Sequence, residues 1–305
     1  MYESTISRRQ FIARTAAVAG GIVLSPLLAQ AAASASKRTA VDQMTLGKTG
    51  IKLSRLGIGT GSNSGSVQRA LGQEGFTRLI RYAYDRGITY IDTAQSYRTH
   101  ELVREAIKGL PREKLFIQSK MPGTPESPLE VLDRYRKELG TDYVDSLLIH
   151  CTIKKDWDEE RKRILDALQE AKDKKIIRAH GVSCHSLPAL KRSVEMDWVD
   201  VHLVRLNPQG TDVDTPEETW NAKSDPSHVP AVMQQVKLMR EKNRGVIGMK
   251  LIGNGTFVNP EDREKAIRFV MQADVTDAVV IGFKSPAEID EAISRIDSAL
   301  AVQRG

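Results

Sequence analysis

Cysteine is nearly absent from this chain of 305 residues, with Cys151 and Cys184 the whole complement. Two thiols cannot staple a fold through a disulfide framework, so stability has to come from a buried core. Long apolar runs are missing too. The strongest candidate, AAVAGGIVLSPLLAQ at 16–30, is interrupted by Gly20, Gly21 and Pro26. It falls short of the roughly twenty apolar residues that cross a bilayer, and no stable membrane span is expected. No block of one charge sign occurs. The formal net charge is +6, but Arg8, Arg9 and Arg14 against Glu3 account for two of those charges, and the rest alternate along segments such as DEERKR and REKAIRF. Such alternation suits solvated helix faces and gives no footprint for nucleic acid. A dinucleotide fingerprint is lacking as well, because GIGTGS at 57–62 has no third glycine where G-x-G-x-x-G needs one.

What is present begins near the N-terminus. Arg8-Arg9 precede Phe11-Ile12 and the weakly apolar run, and Ala29-Gln30-Ala31 and Ala33-Ser34-Ala35 then offer small-residue cleavage patterns. Residues 1–35 resemble a bacterial twin-arginine signal peptide. That resemblance implies the Tat export machinery as a partner and a periplasmic or exported destination, the plainer reading being an uncleaved anchor or a tail.

The rest of the chain is long enough for one large α/β domain. From residue 41 to 302, short apolar runs alternate with amphipathic stretches, and no linker divides them. KLSRLGIGT is followed by EGFTRLIRYAYDRG, whose Phe76, Leu79, Ile80 and Ala83 keep helical spacing. ITYID, KLFIQSK, YVDSLLIH, IIRAHGVS, VDVHLVRL, GVIGMK and AVVIG continue the series, each with a helical partner. Eight such units imply right-handed crossovers and parallel strands. They fit a single (β/α)8 TIM barrel better than a doubly wound sheet. TLGKTGIKL, turning at Gly47 to Gly50, reads as an N-terminal β-hairpin placed to plug the bottom of the barrel.

Barrel chemistry sits at the C-terminal strand ends. The second strand ends in Asp92 with Tyr97 five residues on, the third in Lys120, the fourth in His150. Singly, these residues have bland readings: a helix N-cap, a rim cover, a solvated charge, a structural imidazole. Together they place an acid, a phenol, an amine and an imidazole on one face. That set suits proton transfer to a carbonyl oxygen. An adjacent ammonium is expected to lower the phenol's pKa, a carboxylate to keep that amine charged, and a neutral histidine to orient the carbonyl. The four groups lack a reductant, so hydride must come from a cofactor.

D-T-A-x-x-Y at 92–97, the lysine in QSKMP and the histidine in LLIHC resemble the active-site signature of the aldo-keto reductases. The resemblance implies a small-molecule aldehyde, ketone or sugar-like carbonyl as substrate, Tyr97 as general acid, Asp92 and Lys120 as its tuning pair, and His150 as the carbonyl-orienting residue. NADP(H) is the cofactor it favours, with NAD(H) as the alternative. Ser183 would hold the nicotinamide amide, with Cys184 where the family usually has asparagine, His202 where glutamine is usual, and Arg205 near the usual stacking aromatic. Lys284 and Ser285 would meet the adenosine phosphate, while Glu288 stands near a position where NADPH-selective members often carry arginine. Thr60, Asp92, Asn207 and Lys250 complete the expected cofactor contacts.

These departures leave a second function open, a non-turnover redox sensor that holds the nicotinamide cofactor on the same barrel. A metal-dependent hydrolase using the histidines at 150, 185 and 202 is disfavoured, since their spacing matches no metal motif. Cys151 and Cys184 end neighbouring strands, which raises a disulfide across the mouth in an oxidising compartment. The segment 207–230 is long for a βα-loop and reads as a cover, with Trp157 and Trp220 as walls of an apolar carbonyl pocket.

Overall fold

The computed structural model describes residues 37–220, 222–223 and 225–302. The expected leader, residues 1–35, lies outside the described residues. Strands β1 (Gln43–Thr45) and β2 (Lys52–Ser54) form an antiparallel pair. Eight parallel strands follow: β3 (Leu56–Gly59), β4 (Tyr90–Asp92), β5 (Phe116–Met121), β6 (Val144–Thr152), β7 (Ile177–Cys184), β8 (Val201–Arg205), β9 (Gly245–Met249) and β10 (Ala278–Gly282). Each pairs with its neighbours in chain order, and β10 pairs with β3, so the sheet closes into a barrel with helices between the strands.

The helices form where the apolar spacing predicts them. Gly72–Asp85 buries Phe76, Leu79, Ile80 and Ala83 on one stripe. Pro128–Leu139 starts with proline in its first turn and ends at Gly140, whose φ of 64° allows the left-handed cap.

Alternation along the strands separates two cores. Inward residues such as Tyr90, Phe116, Leu148, Val201 and Ile247 fill the barrel, whereas Ile91, Ile117, Leu147, Val182 and Val204 pack outward under the helices. Gly57 leaves room for the Tyr90 ring, because a Cβ there would stand 2.1 Å from Tyr90 Cδ1. Leu46, Ile51 and Leu53 of the hairpin belong to the inner core, so the hairpin closes the end where the strands begin. Gly47 seats it: its N–H donates to Asp277 Oδ2 at 3.0 Å, and a Cβ would lie 2.3 Å from the Gly245 backbone nitrogen. The open end is left for chemistry.

Trp157 does not wall a pocket. It is fully buried in the outer core, with its indole N–H donated to the Ala189 carbonyl at 3.2 Å. Trp220 remains 59% exposed, against His185 at the open end. Among the described residues, no helix is long and apolar enough to cross a membrane.

Candidate active site

Inward parity brings Asp92, Lys120 and His150 together at the ends of β4, β5 and β6, and a 3-10 turn, Gln95–Tyr97, delivers the phenol beside them. Lys120 is fully buried. Its Nζ donates to Asp92 Oδ1 at 2.8 Å, Asp92 Oδ2 at 2.7 Å and the Thr93 carbonyl at 2.9 Å. An ammonium has three donors, and all three are engaged. The amine therefore stands over the face of the Tyr97 ring, 4.8 Å from its centroid, without donating to the hydroxyl. Gly61 backs the same ring, since a Cβ there would come within 2.5 Å of Cε2 and Cζ. His150 meets Tyr97 edge-to-face at 5.6 Å, and its Nδ1 lies 3.4 Å from Ser96 Oγ.

The protonation states follow from burial. His150 is pushed down to about 3 by desolvation and by the charges of Lys120 and Lys250, so it is neutral at neutral pH. Burial lowers the Lys120 pKa while Asp92 opposes the shift and holds the charge. Tyr97 departs from the sequence expectation: its pKa lies well above the ordinary phenol value, raised by burial and then by the neighbouring Asp92 and Cys151. Burial of the ring outweighs the lowering expected from the amine. What remains is a phenol that keeps its proton until a strongly basic oxygen arrives.

A cleft of about 550 Å³ runs from Asp92 and Tyr97 across the ends of β3, β9 and β10 to Glu288 and Glu291. Gly59, Gly61 and Gly282 leave part of its wall as bare backbone, and at Gly282 a Cβ would lie 2.0 Å from Ser62 Oγ. Lys250 and Lys284 also line it. Ser183 faces inward at the end of β7, and its buried hydroxyl has no partner among the described residues. A backbone-walled groove with two lysines fits an extended, anionic dinucleotide, and Ser183 lies outside the lining of that groove.

Of the other expected cofactor residues, Glu288 lines the cleft, and Thr60, Cys184, His202, Arg205, Asn207 and Ser285 do not. Thr60, Cys184 and His202 occupy the outward face of their strands. Thr60 Oγ1 bonds Thr99 Oγ1 at 2.8 Å, Cys184 Sγ accepts from Thr152 Oγ1 at 3.3 Å, and His202 Nδ1 meets Ser193 Oγ at 3.3 Å. Asn207 is buried, with its carboxamide used on the Thr211 and Lys250 carbonyls and the Thr211 N–H. Arg205 faces inward, paired with fully buried Asp214. Ser285 caps the last helix by accepting the Glu288 N–H, and the Glu288 carboxylate accepts the Lys284 N–H at 2.8 Å.

The cysteines are free thiols. An irregularity in the β6–β7 register sets Thr152, not Cys151, opposite Cys184. Cys151 itself takes φ 60° and places its sulfur 3.5 Å from His185 Nε2, on the mouth side. Sequence reasoning missed Gly61, Asp214 and the company that His185 and Cys151 keep. The closeness of the first glycine to an aromatic ring has no sequence signal.

Fold and site define a (β/α)8 barrel with a buried acid–amine pair behind a phenol. The aldo/keto reductase family model matches residues 55–266, and the chain belongs to that family. It is 31% identical over 166 residues to a 9,11-endoperoxide prostaglandin H2 reductase of Trypanosoma cruzi, covering 52% of this chain and 54% of that one. It is 28% identical over 163 residues to an NAD/NADP-dependent indole-3-acetaldehyde reductase of Schizosaccharomyces pombe, covering 50% and 55%. The chain thus spans about half the length of these curated relatives. An aldo-keto reductase of Bacillus halodurans in its holo form shares the fold with a TM-score of 0.65 at 16% identity, over 86% of this chain and 95% of that one.

Proposed function

We propose that the protein reduces an aldehyde or ketone with NAD(P)H, with Tyr97 donating the proton. The observation that carries this reading is a protonated Tyr97 at the inner end of the cleft with a neutral His150 edge-to-face against its ring. When bound, the nicotinamide supplies the hydride. The chain does the rest. His150 donates a hydrogen bond that orients the carbonyl oxygen. Tyr97 gives its proton to that oxygen as it becomes basic. Lys120, pinned by Asp92, presents positive charge to the face of the ring and stabilises the phenolate left behind.

Ser183, Lys250 and Lys284 are the residues we assign to the cofactor. NADP(H) is favoured by family membership, and the dual dependence named for the fission-yeast relative keeps NAD(H) as the alternative. The sensor alternative draws on Cys184, His202 and Arg205 at nicotinamide contacts; Cys184 and His202 face away from the cleft, and Arg205 faces inward, bound to Asp214. Loss of reduced-nicotinamide absorbance with a carbonyl panel tests the assignment. A protein that binds NAD(P)H but oxidises it with no carbonyl would overturn it.

We further propose export through the twin-arginine route, on the strength of Arg8-Arg9 and the run behind them. Cell fractionation of the Arg8→Lys, Arg9→Lys double variant checks this, with retention in the cytoplasm as the expected result.

A further inference from the structure

Beyond the four catalytic groups, the cations Arg161, Arg205 and Lys250 gather along one arc of the rim, and His185, kept neutral by burial, lies among them. Arg161 lies between the two helices that follow β6, His185 follows β7, Arg205 ends β8 and Lys250 follows β9. The arc is continuous because β6, β7, β8 and β9 are neighbours in the barrel. Cys151, one residue past His150, sits among these groups. Its sulfur lies 3.5 Å from His185 Nε2, and its thiol feels the charges of Lys120, Arg205, Lys250 and Arg161 together.

Carboxylates answer only part of this charge. Asp92 holds Lys120 and Asp214 holds Arg205, whereas Asp212 near Lys250 and Glu160 beside Arg161 act on them through space without an ion pair to either among the described residues. Arg205 gives Nε and Nη2 to Asp214, and no described residue accepts from its Nη1. Arg161 is the sharper case, since its Nε and Nη1 are buried with no acceptor among the described residues. Buried donors on a guanidinium are costly to leave unmatched, and matched to an anion they form the strongest ordinary hydrogen bonds. Trp220 stands against His185 and gives the arc an apolar wall.

We propose that this arc is an anion subsite, in which Arg161 and Arg205, with His185 as a further donor, hold a carboxylate or phosphate borne by the carbonyl substrate. The protein then prefers acidic aldehydes or ketones to neutral ones of similar size. This inference rests on the carbonyl-reductase reading above. It adds the substrate class, which the proton-donating groups do not specify. The fixed geometry supports it: Asp214, buried beneath Arg205, holds the guanidinium in place, so little ordering is left to the moment of binding.

Two matched pairs of substrates test it on the full chain with NADPH: benzaldehyde against 4-carboxybenzaldehyde, and glyceraldehyde against its 3-phosphate. The acidic member of at least one pair is expected to show kcat/KM about tenfold higher or more, mainly through KM. Which pair responds tells carboxylate from phosphate. Arg161→Gln is expected to cut that preference about tenfold, and Arg161→Lys to restore part of it. A ratio near one in both pairs, or a preference that Arg161→Gln leaves intact, would overturn the subsite while leaving the reductase reading standing. Calorimetric titration of the NADP-loaded protein with benzoate and with inorganic phosphate decides the case without turnover. Binding that Arg161→Gln abolishes upholds the subsite even if no aldehyde is reduced and the functional reading falls; no binding by the unaltered protein sinks it.

Discussion

At the scale of single residues, the informative fact is what Lys120 does not do. Its three donors are committed to Asp92 and Thr93, so its influence on Tyr97 passes through the ring face and not through a hydrogen bond to the hydroxyl. Burial keeps the phenol protonated well above neutrality, and His150, held down to about 3, stays neutral well below it. Neither group changes charge in the ordinary working range. The kcat profile is accordingly expected to be level between about pH 5 and pH 9 in a steady-state series. An inflection near the ordinary imidazole value of about 6.5 would show that His150 titrates during turnover. Tyr97→Phe removes the proton donor but keeps the ring against Gly61, so kcat should fall roughly 10²- to 10⁴-fold. Cofactor affinity, read by fluorescence titration, should stay close to that of the parent protein.

At the scale of elements, strand parity explains both what was legible in the sequence and what was not. The eight units and the hairpin could be read because apolar spacing and turn residues are local signals, and Asp92, Lys120 and His150 could be read because each follows its strand's alternation to the inward face. Thr60, Cys184 and His202 could not be placed the same way: one step along a strand moves a side chain from cleft to outer core, and the irregularity between Ile149 and Thr152 shifts the count. Arg161 escaped notice because an unmatched guanidinium is a property of burial, which spacing does not report. Two predictions belong here. Gly47→Ala would drive a Cβ into the Gly245 backbone at a residue with φ 46°, unseating the hairpin. A loss of about 1–3 kcal/mol by denaturant unfolding is expected. Glu288→Gln preserves a side-chain acceptor for the Lys284 N–H and removes a charge from the cleft. The affinity ratio of NADPH to NADH should rise by about threefold to tenfold, and an unchanged ratio would take Glu288 out of the cofactor's adenosine end.

At the scale of the whole molecule, the barrel buries imidazoles in both of its layers. His150 lies at the mouth and His202 lies between β8 and the helix Leu187–Glu195, each pushed down to about 3 by desolvation and by neighbouring cations. An unfolded histidine titrates near 6.5, so below that value the unfolded chain binds protons that the native state refuses. The stability these residues contribute is therefore whole above about pH 6.5 and is lost as pH falls toward 3, at about 1.4 kcal/mol per pH unit for each. Together they should cost on the order of 4 kcal/mol between pH 7 and pH 5. Asp214 and Asp277, raised by burial, act in the opposite sense, so the bare slope of the whole protein does not isolate the histidines. A difference between variants does. His202→Gln leaves an amide able to bond Ser193 Oγ and removes one titration, so its unfolding free energy should fall less steeply with acid than that of the parent. Urea unfolding of both proteins at a series of pH values measures the gap. Parallel slopes would mean that His202 already accepts a proton in the folded barrel, contrary to its burial among Ser193 and the cations of Lys242 and Arg244.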